Sequence, residues 1–400
     1  MILFFALFLF NPLLGIVATS CVCWKKGPVD QKALFGLAIM MALFLGLQNM
    51  GKEMAGDIVE YRDYFLSVPN FDSIRAFMLS FGKEPLYYGY TYLAYYVMGG
   101  SWKLFILSIT FINYMLLAYA IVKTGVCWRA SMRDVVITLF FMLFFFQEFA
   151  SIGHMIRQCL AQSITVVFFV SWYMEQKRRW WLILITLMVH TSALPVLGMG
   201  LIPMLQKKLT LPRTIRLGVV VTVLVAAFYY VLPMFSGIPF LSYVEKRANQ
   251  DNLLGTDAWQ TENIGLDIVM YVLLVLVSLM ILYVYRKIGK ETAVGLQTPA
   301  QARTIPYLNI TIVLILALLV WNAMQAYYLL MRYYFFLYAF QNVIVLLFLY
   351  YWRPKAKYIL TTAGVALLFV YFCAYYANGF FSYYPLSHML LYPVPLYFIN

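Results

Sequence analysis

Charge is scarce in this chain: 11% of its 400 residues are Asp, Glu, Lys or Arg, against 64% hydrophobic. A polar globular domain is thereby excluded, and many apolar runs reach the roughly 20 residues that a membrane-spanning helix needs. Acids are scarcer than bases, at 16 against 29, which gives a formal net charge of +13. In a soluble chain that balance would suggest nucleic acid; here no nucleic-acid module accompanies it, and it reads as an orientation signal for a membrane protein. The five cysteines build no disulfide framework, and Cys21-x-Cys23 alone is no metal site. There is no HExxH, no Cys-His set and no carboxylate cluster, so no metal or other cofactor is expected. A Gly-rich phosphate loop is also missing, which argues against a nucleotide-using enzyme. The outer segments 51–85 and 234–265 show neither repeats nor low complexity.

What is present is an all-α polytopic membrane protein, a single transmembrane domain over residues 1–400. Apolar runs lie near 2–23, 34–50, 102–122, 134–150, 155–174, 180–205, 215–233, 266–285, 305–329, 332–352 and 358–377. They predict about 11–12 transmembrane helices plus re-entrant or interfacial segments. The first run lacks a basic segment before it and is followed by Lys25 and Lys26, so it reads as a retained anchor. Basic clusters follow at Lys123/Arg129/Arg133, Lys177/Arg178/Arg179, Lys207/Lys208/Arg213/Arg216, Arg286/Lys287/Lys290/Arg303 and Arg353/Lys355/Lys357. All fall on the cytoplasmic side if the N-terminus is periplasmic, 84–101 does not cross, and 180–205 is a short pair broken near Ser192 to Pro195.

Two outer segments then hold the polar chemistry: 51–101, with an interfacial or re-entrant helix at its end, and 234–265. Arg157 and Arg332 sit at outer helix edges, away from the cytoplasmic clusters, and ionisable groups at that depth face a cavity or a partner. The plainer alternative for each is snorkelling, or pairing with a structural acid such as Glu148. Asn322, Gln325, Tyr328 or Leu329, and Arg332 follow helical spacing, so the amides share a face that leads to the guanidinium. His154 precedes Arg157 by one turn. His190 sits where the short pair turns, as a reactive group or as one bonded to a freed carbonyl; His388 in the tail receives no role. Tyr87, Tyr88, Tyr90, Tyr92, Tyr95 and Tyr96 form either an interfacial belt or a platform for sugar faces.

Asp57-x3-Tyr61-x2-Tyr64-Phe65, Glu84-Pro85-Leu86-Tyr87, Arg157-Gln158-x2-Ala161-x-Ser163-Ile164 and His190-x-Ser192-Ala193-Leu194, in that order, resemble the successive motifs of the EpsG-like branch of Wzy oligosaccharide repeat-unit polymerases. Arg332-Tyr333-Tyr334 resembles the family's later arginine helix. The resemblance implies a GT-C-like, metal-independent glycosyltransferase of the bacterial inner membrane that joins undecaprenyl-diphosphate-linked repeat units of O-antigen, capsule or exopolysaccharide on the periplasmic side. Its partners would be the lipid-linked glycan donor and acceptor, membrane lipid, a chain-length regulator and a flippase. Arg157 and Arg332 would bind the departing diphosphate, since a guanidinium stays ionised and binds phosphate oxygens in a fork. Asp57, Glu84 and His190 are candidates for the catalytic base, with Glu84 alternatively paired to an arginine. Tyr61, Tyr87, Tyr88, His154, Gln158, Gln325 and Tyr333 would contact sugar or lipid. A glycan ligase, a transferase using a polyprenyl-phosphate sugar and a lipid-linked oligosaccharide flippase stand as alternatives. The apolar helix middles and charges gathered at one edge favour one-sided chemistry over a flippase.

Overall fold

The computed structural model describes residues 2–24, 29–82, 84–231, 264–294, 298–323, 327–379 and 382–398. Among the described residues it is all helix and loop, as the sequence predicts. The chain divides into two compact units, residues 1–197 with 345–400 and residues 198–344.

In the first unit the opening apolar run does not form one helix. Asn11 caps α2 (Pro12–Cys23), its side chain accepting from Leu14 N, and Pro12 fills the first helical position. The preceding α1 (Ile2–Phe10) therefore folds against α2, so closely that a Cβ on Gly15 would lie 2.4 Å from Phe8 Cα. Neither piece reaches spanning length.

α3 (Gln31–Asn49) buries Leu34, Leu37 and Ala38 along one face of its first half, and from Met40 onward it is buried nearly all round, as a helix enclosed by its neighbours is. It packs antiparallel to α7 (Trp102–Trp128). Lys123 near the C-terminus of α7 donates to Gln31 at 2.8 Å, while Asn49 at the other end of α3 donates to Thr110 at 3.2 Å. Between them in sequence lie three short helices: α4 (Asp57–Leu66), α5 (Ile74–Phe81) and α6 (Pro85–Val97). At about 1.5 Å per residue, α6 is too short to cross a bilayer core.

α8 (Met132–Phe144) and α9 (Phe146–His154) are bent by 54° at Phe145, whose ψ of 93° is extended. Phe144, Phe146 and Phe149 flank the bend and pack on Phe372 at 6.1, 5.6 and 5.2 Å. α10 (Ile156–Phe169) continues as a π-helical turn to Met174, and α11 (Trp181–Val189) ends at an extended His190. The helical run from Arg157 to Glu175 separates those residues by about 27 Å. Its far end meets the C-terminal half of α7, where Tyr119 donates to Glu175 at 3.1 Å. The first unit thus has two chemically different ends.

The second unit holds the C-terminal end of α12 (Leu194–Met199), α13 (Leu211–Val231), α14 (Ile264–Ala293), α15 (Pro299–Ala323) and the first part of α16 (Tyr327–Tyr351). Asn309 of α15 organises it: its Nδ2 donates to the carbonyls of Leu205 and Lys207, and its Oδ1 accepts from Tyr285. α17 (Lys357–Asn378) returns to the first unit, and the tail, with α18 (Leu386–Leu391), closes on the end of α3. Gln48 donates to Tyr397 and accepts from Tyr376, and Glu53 N donates to the Ser382 carbonyl.

Six described helices, α3, α7, α14, α15, α16 and α17, are long and apolar enough to cross a membrane, or seven spans with the bent α8–α9 pair. Among the described residues the run 2–23 is divided at Asn11 and the run 180–205 at His190, each into pieces below spanning length. None of the described cysteines is in a disulfide.

Candidate functional site

Three helix ends in the first unit converge on one carboxylate. Glu84 precedes Pro85, so it cannot extend α6 backwards, and it adopts a left-handed conformation at φ 55°, ψ 51°. A non-glycine residue held there stores about 1–3 kcal/mol of backbone strain, and here the strained position aims the carboxylate inward, where its side chain is 2% exposed. The break between α9 and α10 at Met155, with φ −112° and ψ 63°, places Arg157 in the opening turn of α10. His190 follows α11 in extended backbone, before a 3₁₀ turn at Thr191–Ala193. Glu84 Oε2 pairs with Arg157 Nη1, and Glu84 Oε1 bonds to His190 Nδ1. One carboxylate holds both groups across sequence separations of 73 and 106 residues.

An aromatic box surrounds the guanidinium. Its carbon lies 5.2, 5.8 and 5.9 Å from the ring centres of Tyr61, Tyr87 and Tyr88, within range of cation–π attraction. Arg157 Nη1 also donates to the Tyr88 hydroxyl at 3.1 Å, and Nε to that of Tyr61 at 3.4 Å. Phe81 stacks on Tyr88 at 4.1 Å. Tyr61, Tyr87 and Tyr88 are buried, and their rings face the guanidinium and each other. Burial pushes the Tyr61 hydroxyl up to about 12, so it stays protonated at neutral pH. Farther along the tyrosine run, Tyr96 is 56% exposed, as an interfacial belt would be.

The structure brings Glu84, Arg157, His190, Tyr61, Tyr87 and Tyr88 together. Gln158 is buried next to Arg157. Asp57 opens α4 one turn before Tyr61 and is exposed. His154 packs on the turn into that helix: Gly56 has φ +59°, and a Cβ there would fall 2.8 Å from the His154 ring. The acid that meets Arg157 is Glu84, the arginine partner that the sequence offered as one alternative for this residue, and not Glu148. Arg332 and Tyr333 lie on α16 in the second unit, Tyr333 against Trp321 at 4.7 Å. Gln325 lies outside the described residues, as does almost all of the outer segment 234–265.

Lys52, one of the charged residues of the first outer segment, carries no role in the sequence analysis. It is buried at the end of α3, donates to the Ala150 carbonyl and stands 5.9 Å from the Tyr383 ring centre. Burial pushes its amine down to about 7. The available signal was Gln48-Asn49-x-x-Lys52, a helical spacing of polar residues on an otherwise apolar helix end.

Chemically, a carboxylate on Nδ1 selects the tautomer that carries its proton there and leaves Nε2 as the basic nitrogen. Among the described residues no group of His, Cys, Asp and Glu could hold a metal ion. The sequence matches the EpsG family over residues 33–393. The chain belongs to the EpsG family. No curated protein and no solved structure matches it. EpsG membership places the chain among polysaccharide-related membrane proteins, and the motifs that carry the resemblance include each member of the Glu84–Arg157–His190 cluster.

Proposed function

We propose that this EpsG-family protein is a metal-independent glycosyltransferase that polymerises undecaprenyl-diphosphate-linked repeat units on the periplasmic face of a bacterial inner membrane. The observation that carries the proposal is Glu84 bonded at once to Arg157 and His190. The acceptor hydroxyl gives its proton to His190 Nε2 as its oxygen bonds to the donor's anomeric carbon. The bond from that carbon to the phosphate oxygen breaks, and the electron pair leaves with the lipid diphosphate. Glu84 orients the imidazole and stabilises the imidazolium, the part a buried carboxylate plays behind a catalytic histidine. Arg157, anchored through Nη1 and Nε, offers its Nη2 edge to the departing phosphate oxygens, where charge grows in the transition state. Between the three base candidates, this geometry supports His190 as base and Glu84 as its orienting partner. The role of Arg332 as a second diphosphate ligand rests on the sequence. Donor and acceptor lipids are the partners, and the basic clusters at the opposite end of the first unit support a cytoplasmic assignment for that end.

The test uses protein purified in detergent with the lipid-linked repeat unit as sole substrate and product length read on a gel. Wild type should give a ladder, and His190→Ala should bind substrate but leave single units. A full ladder from His190→Ala would remove the assigned base, and substrate binding by wild type without any elongation would exclude a polymerase.

A further inference from the structure

At the end of the first unit opposite Glu84, the C-terminus of α7, the start of α8 and the α16–α17 junction enclose a cavity of about 750 Å³. Arg129, Arg353 and Lys355 line it together with Ser131 and Tyr358. The lining carboxylate, Asp134, is already occupied, since Lys357 Nζ sits 2.6 Å from its Oδ1 and both side chains are buried. Asp30 stands beside the lining residue Val29, but its carboxylate caps α3 by accepting from Lys32 N and Ala33 N. Three exposed cations therefore face this space without an acid to neutralise them among the described residues.

Other features reinforce the positive potential. α8 and α17 both begin here, and helix starts carry partial positive charge; α17 has no side-chain cap. Arg133 sits behind the wall, 5.1 Å over the Tyr358 ring and 5.7 Å over Trp24, adding a fourth cation nearby. Tyr350 also lines the cavity and Trp24 packs on its Tyr358 at 5.9 Å, residues suited to a membrane interface.

We infer that this cavity binds a phosphate-bearing anion, and that its source is the headgroup of an anionic phospholipid. Arg129 and Arg353 would grip phosphate oxygens, Lys355 would add charge, and Ser131 and Tyr358, bonded to each other at 3.3 Å, would offer one hydroxyl proton between them. A phosphodiester between acyl chains and the protein surface fits a basic pocket that opens among apolar helix ends. This assignment stands on geometry remote from Glu84 and does not depend on the catalytic proposal.

Purified full-length protein would be mixed in detergent with phosphatidylglycerol, cardiolipin or phosphatidylcholine, and retained lipid counted by native mass spectrometry. A parallel arm adds inorganic phosphate to lipid-free protein and follows thermal unfolding. Anionic lipid should be retained over phosphatidylcholine, retention should fall as salt rises, and Arg129→Gln with Arg353→Gln should weaken it about tenfold. Stabilisation by inorganic phosphate, lost in the double variant, would keep the anion site and reassign its source to a soluble phosphate. Equal retention of phosphatidylcholine, or unchanged anionic-lipid retention in the double variant, would overturn the site if phosphate gives no stabilisation. The wild-type lipid preference and its salt dependence are read without any variant, so misfolding of the double variant cannot hide a negative result.

Discussion

The two ends of the first unit handle charge in opposite ways. At one end a single buried carboxylate, Glu84, holds a guanidinium and an imidazole inside an aromatic box. At the other, Arg129, Arg353 and Lys355 remain exposed around an open cavity whose carboxylate is taken by Lys357. The difference separates two uses of a cation in a membrane protein. Where charge is desolvated, geometry is fixed and removing one partner is costly. Where cations stay hydrated they can orient the protein and attract anions while contributing little to stability.

Removing the shared carboxylate should have the largest effect. Glu84→Gln leaves Arg157 buried without its acid, so unfolding in detergent should show a loss of about 3–5 kcal/mol, together with loss of polymerisation. Arg157→Lys comes next: the charge persists, but the bonds to Tyr61 and Tyr88 and the planar fork are lost, and the rate of elongation should drop about a hundredfold in the gel assay. Wild-type rates in the lysine variant would reduce Arg157 to a structural cation.

A smaller effect should come from pH. The Lys52 amine falls from 10.5 to about 7 in the folded protein, so between those values the unfolded chain holds a proton that the folded one does not. Stability should therefore rise as pH increases from about 7 towards 10.5, and Lys52→Met should flatten that slope in unfolding curves measured across the range. The least effect belongs to the opposite end: Arg129→Gln should leave the detergent elongation rate within about twofold of wild type. A large drop there would break the contrast between the two ends.

Much of this arrangement was legible in the chain. The Glu84-Pro85 step, the Arg157 helix edge and the His190 turn all stand out because polar residues interrupt apolar runs at helix ends. Their meeting did not, since pairing across such long sequence separations leaves no local periodicity. Asn11-Pro12 spells a helix start, yet continuous hydrophobicity on both sides suggested one span. Phe145 carries no sign of a break, having neither proline nor glycine beside it; its neighbours Phe144, Phe146 and Phe149 pack on Phe372 around the bend. Tyr87 and Tyr88 share the composition of the exposed Tyr96, and tertiary contact with Arg157 alone distinguishes them.

Glu84 acting through His190 is the centre of the proposed chemistry, and a double-mutant cycle on the elongation rate tests it most directly. Glu84→Gln, His190→Ala and the double variant would be compared in detergent with one lipid-linked repeat unit as substrate, with substrate binding measured in parallel. If the carboxylate serves the imidazole, the double variant should be no slower than the slower single variant, because the two act as one unit. Rate losses that multiply across the two positions would show them acting independently and contradict the proposed centre.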